Sequence, residues 1–202
     1  MNLLALVGSP RKGKATDALI DRAIAGVQAA DPACRVKKVY LIDQRIEFCR
    51  NCLACRDSTA AGPYVRCAIR DDMDVLSEDL LAADCLLLGS PIHMGFAPGL
   101  VTNFLERICW TFAKPTGKVL TLKGCPEPRG DKPRRAAIIL TNGIVPPIYR
   151  RFCDQATPLI KDVFLLSLNS RLIGSLYAGA IELRGLDGYL DKAFRLGNRL
   201  AG

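Results

Sequence analysis

The stretch that most constrains this chain is Leu3 to Thr16, LLALVGSPRKGKAT, where a continuous apolar run stops at a loop of hydroxyls and cations. Leu3, Leu4, Ala5, Leu6 and Val7 leave no polar position between them, so a strand made from them must be covered on both faces, as in a parallel sheet. Gly8 ends the run, and Asp17 to Ala30 carries Leu19, Ile20, Ala23, Ile24 and Val27 at helical spacing. Ser9, Arg11, Lys14, Ala15 and Thr16 therefore stand where a helix begins, and there free N–H groups and the helix dipole attract an anion. The loop suits a phosphate.

Gly8, four residues, then Gly13-Lys14 comes within one residue of the nucleoside-triphosphate loop pattern, but Ala15 occupies the place of the magnesium-binding hydroxyl. Thr16 is one position late, and LLLGSP after Asp84 ends in no aspartate that would hold magnesium. A phosphate-bearing cofactor is the better reading; the bland alternative is an ordinary strand-to-helix turn on a basic surface.

The rest of the chain repeats the opening pattern. Strands are expected at Val36 to Ile42, Cys85 to Gly89, Ala136 to Leu140 and Leu172 to Ala178. Helices are expected from Asp71, with Met73, Leu76 and Leu80 on one face; from Pro98, with Leu100, Val101, Phe104, Leu105 and Ile108; from Ile148 to about Leu166; and from Leu190 to Leu200. Five strand–helix alternations call for right-handed crossovers and a parallel sheet with helices on both faces. Two segments interrupt the pattern: a cysteine-rich excursion at 47–70, and a stretch at 113–135 so rich in proline, glycine and charge that a loop or lid is expected. The 202 residues fit a single domain, 1–202. Ligands of such sheets bind beyond the carboxyl ends of the strands, which brings Gly8 to Thr16, Ser90 to Gly95 and Thr141 to Pro146 around one crevice.

Lysine and arginine outnumber aspartate and glutamate by 28 to 20, a formal charge of +8 that suits anionic ligands. Nucleic acid is disfavoured, because the cations collect in irregular segments such as Lys123 to Arg135 rather than along one helix or an aromatic-interleaved strand. No apolar run approaches the roughly 20 residues of a membrane span, and the chain opens directly into a strand, so a cytoplasmic protein without a membrane role is expected.

Of nine cysteines, four cluster: Cys49, Cys52 and Cys55, each two residues from the next, and Cys67 after eleven more. The tight triple can aim three thiolates at corners of an iron–sulfur cube with a fourth ligand from further on, a 4Fe-4S site. Four-thiolate zinc, or thiols that hold nothing, are the other readings. Cys34, Cys85, Cys109, Cys125 and Cys153 are scattered and receive no role.

GSPRKGKATDALID resembles the phosphate loop of the flavodoxin-like NAD(P)H-dependent FMN reductases, with Lys14 and Ala15 where that family usually has glycine and asparagine. IEFCRNCLACRD, CAIRDDMDVL, AADCLLLGSPIHMGFAPGLVTNFLERI and AAIILTNG follow in the same order as in that family, and the cysteine motif resembles that of iron–sulfur flavoproteins. The resemblance implies a flavodoxin-like three-layer sandwich with strand order 2-1-3-4-5, FMN as cofactor and NAD(P)H as co-substrate. It implies that Pro91, Ile92, His93, Met94 and Gly95 run beside the flavin ring, His93 standing where relatives carry an aromatic, and that Thr141, Asn142 and Gly143 close the third loop. A small-molecule or protein electron acceptor, whether a quinone, free flavin, metal complex or electron carrier, and a homodimer or homotetramer, are implied in the same way; one-electron transfer by an iron–sulfur flavoprotein, or a non-catalytic FMN-binding module, are the alternative functions. Flavin carries the hydride chemistry itself, which fits a chain without a serine triad or paired catalytic carboxylates.

Overall fold

A computed structural model describes residues 1–202. The core is a parallel sheet of five strands, β1 (Asn2–Val7), β2 (Arg35–Tyr40), β3 (Cys85–Pro91), β6 (Arg134–Thr141) and β7 (Ser170–Ala178), in the order β2-β1-β3-β6-β7. Numbering only these five strands gives the expected 2-1-3-4-5. Because successive side chains of a strand face opposite ways, each apolar run feeds two cores. Leu4, Leu6, Leu86, Leu88, Ile138 and Leu140 pack under α2 (Met73–Ala82), α3 (Gly99–Phe112) and α5 (Ala156–Leu168). Leu3, Ala5, Val7, Leu87, Ala137 and Ile139 pack under α1 (Ala15–Ala30) and α7 (Asp187–Ala201).

The helices α1 and α7 meet backbone to backbone. A Cβ on Gly197 would lie 1.9 Å from the Ala23 carbonyl oxygen, and one on Gly26 would lie 2.0 Å from that of Phe194. On the other face the buried Arg134 guanidinium donates to the carbonyls of Leu80 and Ala83 at 3.2 Å and of Leu168 at 2.8 Å, satisfying the carboxyl ends of α2 and α5 at once.

Two expectations need correction. The segment expected to be a loop or lid at 113–135 instead begins with an antiparallel ribbon, β4 (Ala113–Val119) and β5 (Leu122–Pro128). The ribbon pairs from Ala113 opposite Pro128 to Val119 opposite Leu122, with register shifts between Lys114 and Gly117 and between Gly117 and Lys118, and the Thr116 hydroxyl donates across it to Glu127 at 2.6 Å. The helix expected over Ile148 to Leu166 is broken into α4 (Arg150–Cys153) and α5. The break is made by Asp154, whose carboxylate accepts from the Thr157 N–H and hydroxyl, both at 2.8 Å, and from Arg150 Nε at 2.8 Å. A further short helix, α6 (Ile181–Arg184), follows β7.

Candidate cofactor site

The carboxyl ends of β1, β3 and β6 open onto a cleft of about 720 Å³. All thirteen residues singled out from the three loops line it: Ser9, Arg11, Lys14, Ala15 and Thr16; Pro91, Ile92, His93, Met94 and Gly95; Thr141, Asn142 and Gly143.

The first loop is built by its backbone. Gly8 N–H donates to the Gly89 carbonyl at 2.7 Å, and a Cβ at Gly8 would meet Val101 at 2.2 Å, so the turn can leave the sheet here only as glycine. Gly13 adopts φ +68 and donates its N–H to Asp17 at 2.6 Å. Burial alone would raise the Asp17 carboxyl, but hydrogen bonds from Lys38, the Gly13 N–H and Tyr40 hold it below its ordinary value. Burial would likewise lower Lys38, yet Asp17 and Asp21 hold its ammonium above the usual lysine range. Lys12 is paired with Asp43 at 2.6 Å, whereas Arg11 and Lys14 have no acidic partner. Thr16 is buried and its hydroxyl bridges to that of Thr141 at 2.8 Å, tying the first loop to the third.

In the second loop the N–H of Ile92 donates to the Thr141 carbonyl at 2.9 Å, while His93 and Phe96 exchange N–H···O bonds at 2.9 Å around a two-residue turn. Met94 (φ +52) and Gly95 (φ +89) form that turn in the left-handed region, the signature of a primed hairpin turn. The N–H groups of Met94 and Gly95 are thus the unengaged donors of this loop. The Asn142 side chain works locally, its Oδ1 accepting from Ile144 N–H at 3.0 Å and Val145 N–H at 2.8 Å.

A fourth wall lies outside the three loops expected from the sequence. Ile144, Val145, Phe152, Cys153, Ile181 and Glu182 complete the cleft. The Glu182 carboxylate lies against Gly143, whose carbonyl accepts the Glu182 N–H at 3.0 Å. Phe152 and Cys153 were hidden by reading one helix through them; Asp154, with Pro158 in the turn after it, was the available signal of a break.

The donor set fits FMN. Hydroxyl, guanidinium, ammonium and helix N–H groups gather at one end, unengaged N–H groups stand along a wall, and Pro91, Ile92, Val145 and Phe152 supply apolar surface for a ring.

The cysteines lie elsewhere. Their segment runs down the outer side of α3: the Asn103 amide donates to Ile46 at 2.9 Å, Arg107 to Glu47 at 2.6 Å, and Arg129, beside Ala113, to the Cys55 carbonyl at 2.9 Å. Cys55 is therefore level with the far end of a helix about 20 Å long, whereas the cleft lies at its beginning. Cys49 and Cys52 are exposed, Cys55 and Cys67 half-buried. Burial, and then the charge of the neighbouring Cys67 thiol, pushes the Cys55 thiol up. No three of these side chains converge closely enough to hold a metal ion, so as placed they do not fit a cluster.

Residues 1–124 match the model of a family described as NADPH-dependent FMN reductase. The chain belongs to that family. Among curated relatives it is 30% identical over 107 residues to an iron–sulfur flavoprotein of Methanosarcina thermophila, a match covering 53% of this chain and 52% of that protein. An iron–sulfur flavoprotein of Archaeoglobus fulgidus is 29% identical over 107 residues, 53% of this chain and 48% of the relative. The match thus spans about half the length of these relatives. Among solved structures, an NAD(P)H:quinone oxidoreductase from Methanothermobacter marburgensis superposes with a TM-score of 0.69 at 15% identity, over 100% of this chain and 98% of the other. An FMN-dependent NADH-azoreductase from Bacillus anthracis in complex with FMN gives 0.67 at 12% identity, covering 100% of both. Those two likenesses concern the fold.

Proposed function

We propose that the chain is an FMN-dependent oxidoreductase that accepts reducing equivalents from NAD(P)H and passes them to a small aromatic acceptor of the quinone or azo class. The observation that carries this reading is the cleft itself, with two unpaired cations and a helix N-terminus at one end of an apolar slot. When bound, FMN supplies the hydride chemistry. Arg11, Lys14, the Ser9 hydroxyl and the N–H groups opening α1 hold the phosphate. The unengaged Met94 and Gly95 N–H groups would serve as fixed donors that favour negative charge on the bound flavin, and His93 would lie against it. Glu182 closes the opposite side. The names of the quinone and azo-dye reductases of like fold support the acceptor class.

Met94, Ile144 and Phe152 line the cleft and are exposed, Met94 by 95%, and their near sequence neighbours Phe96, Ile148 and Tyr149 are exposed as well. Exposed apolar side chains gathered in this way mark a surface that is covered in use. In this reading a second copy of the chain covers it, leaving a slot for the acceptor; sedimentation at working concentration gives a dimer if so, a monomer if not.

A second reading, single-electron transfer through a cysteine-held cluster, is supported by the Cys49-Cys52-Cys55 spacing and by the names of the curated relatives. The thiol placement weighs against it. The FMN reading is tested by titrating apoprotein with FMN: tight 1:1 quenching of flavin fluorescence is expected. Losing a charged contact to phosphate costs roughly 1.5–3 kcal/mol, so Arg11→Ala should weaken binding by about one to two orders of magnitude. An unchanged affinity removes the loop from the site.

A further inference from the structure

A second cavity, about 800 Å³, lies between the open edge of β7 and α7, outside the cofactor cleft. Its apolar lining comes from Leu176 and Leu196, Phe194 lying beside them with its ring under the Arg22 guanidinium at 4.6 Å, and its rim carries Lys192, Arg195 and Arg199. The ion pair made by α7 joins Asp191 to Arg22 at 3.8 Å, which leaves those three cations without an acidic partner. No carboxylate lines the cavity.

The shape has a local cause. The β6–β7 ladder shifts register between Ala136 and Ala137, so Ile173 is an extra residue and the strand bends away there. Gly174 follows with no side chain, and Arg199 occupies the space, its Nη2 only 3.2 Å from where a Cβ would stand. Positions 192, 195 and 199 recur every three to four residues, so the cations share one side of the helix, spread over about 10 Å. Three unpaired cations along one wall call for a ligand with more than one negative charge. An apolar floor calls for a ring or chain attached to it, and the volume lies within the roughly 300–1,000 Å³ of small-molecule pockets.

We propose that this cavity binds a nucleoside diphosphate, its phosphates held by Lys192, Arg195 and Arg199 and its base resting on Leu176 and Leu196. The site is separate from the FMN cleft and does not depend on what the cleft binds. The test is calorimetric titration of the FMN-saturated chain with ADP, compared with an Arg195→Ala, Arg199→Ala double variant. Both side chains are exposed, so the variant keeps its fold and its bound-flavin absorbance, which is recorded in the same samples. One ADP per chain is expected in the wild type, with affinity lowered roughly tenfold or more in the variant. Adenosine and inorganic pyrophosphate should each bind more weakly than ADP. No ADP binding, binding undiminished in the double variant, or either fragment binding as tightly as ADP would overturn the assignment.

Discussion

At the residue scale, Asp17 sets the geometry of the phosphate loop without lining the cleft. Its carboxylate takes the Gly13 N–H, the Tyr40 hydroxyl and the Lys38 ammonium, so it fixes the one left-handed residue of the loop. Because its folded-state value lies below the ordinary 3.8, its stabilisation is fully present above that value and is lost as pH falls through the lowered one. Between pH 5 and pH 8 it therefore contributes no slope, and the loss is confined to strong acid. Asp17→Asn keeps the shape but loses the ion pair. FMN affinity should fall by about tenfold at pH 7, a loss near 1.4 kcal/mol, while binding in the wild type stays flat over that range. An affinity equal to wild type would show that Gly13 needs no anchor. Lys14→Ala should also weaken FMN, and restoring the charge with arginine should recover most of it; failure of Lys14→Arg to rescue would mean that this position acts through shape.

At the element scale, two contacts decide most of the packing. Gly197→Ala drives a methyl into the Ala23 carbonyl, and overpacking of this kind costs roughly 1–3 kcal/mol. A thermal melt should show a drop of several degrees, with FMN affinity unaltered once the protein is folded. Asp71 pairs with Arg107 at 2.6 Å, both side chains almost fully buried, and so pins the cysteine segment to α3. Burial would raise the Asp71 carboxyl, but the Arg107 guanidinium and the backbone N–H groups of Glu47 and Met73 hold it down. Asp71→Asn strands a buried cation, and denaturant unfolding should report a loss of about 3–5 kcal/mol. A loss below ~1 kcal/mol would mean that water reaches the pair. The central strands were legible in the sequence because a both-faces-buried strand has no polar position, as Leu3 to Val7 and Cys85 to Leu88 show. The ribbon at 113–128 was not. Its pairing rests on backbone bonds, and its half-exposed lysines, prolines and glycines carry no alternation; Pro115, Pro126 and Pro128 sit where a two-stranded ribbon needs few donors. The three loops were likewise legible as neighbours of one cleft because each follows a strand end, while the part their residues would play toward a flavin came from the resemblance. Phe152, Cys153 and Glu182 were not, since they reach the cleft from elements that belong to no strand end in the first three loops.

At the scale of the whole molecule, the cofactor cleft lies at the start of α3 while the cysteine segment runs along its outer side to Cys55 at the far end, and each can change without the other. Replacing Cys49, Cys52, Cys55 and Cys67 with serine should leave FMN affinity within about twofold, because no hydrogen bond joins their segment to the three loops. Metal analysis of anaerobically prepared wild-type protein should find sub-stoichiometric iron and zinc; a full complement of iron would mean that the thiols rearrange to grip a cluster. The central claim is that one cleft binds FMN and presents it to a nicotinamide nucleotide. It is tested most directly by the visible spectrum of the FMN-saturated chain, recorded anaerobically before and after one equivalent of NADH or NADPH. The account predicts one flavin per chain and bleaching of its absorbance by at least one of the two nucleotides, with the colour restored on adding a quinone. A chain that binds no flavin, or whose bound flavin stays oxidised with both nucleotides, contradicts it.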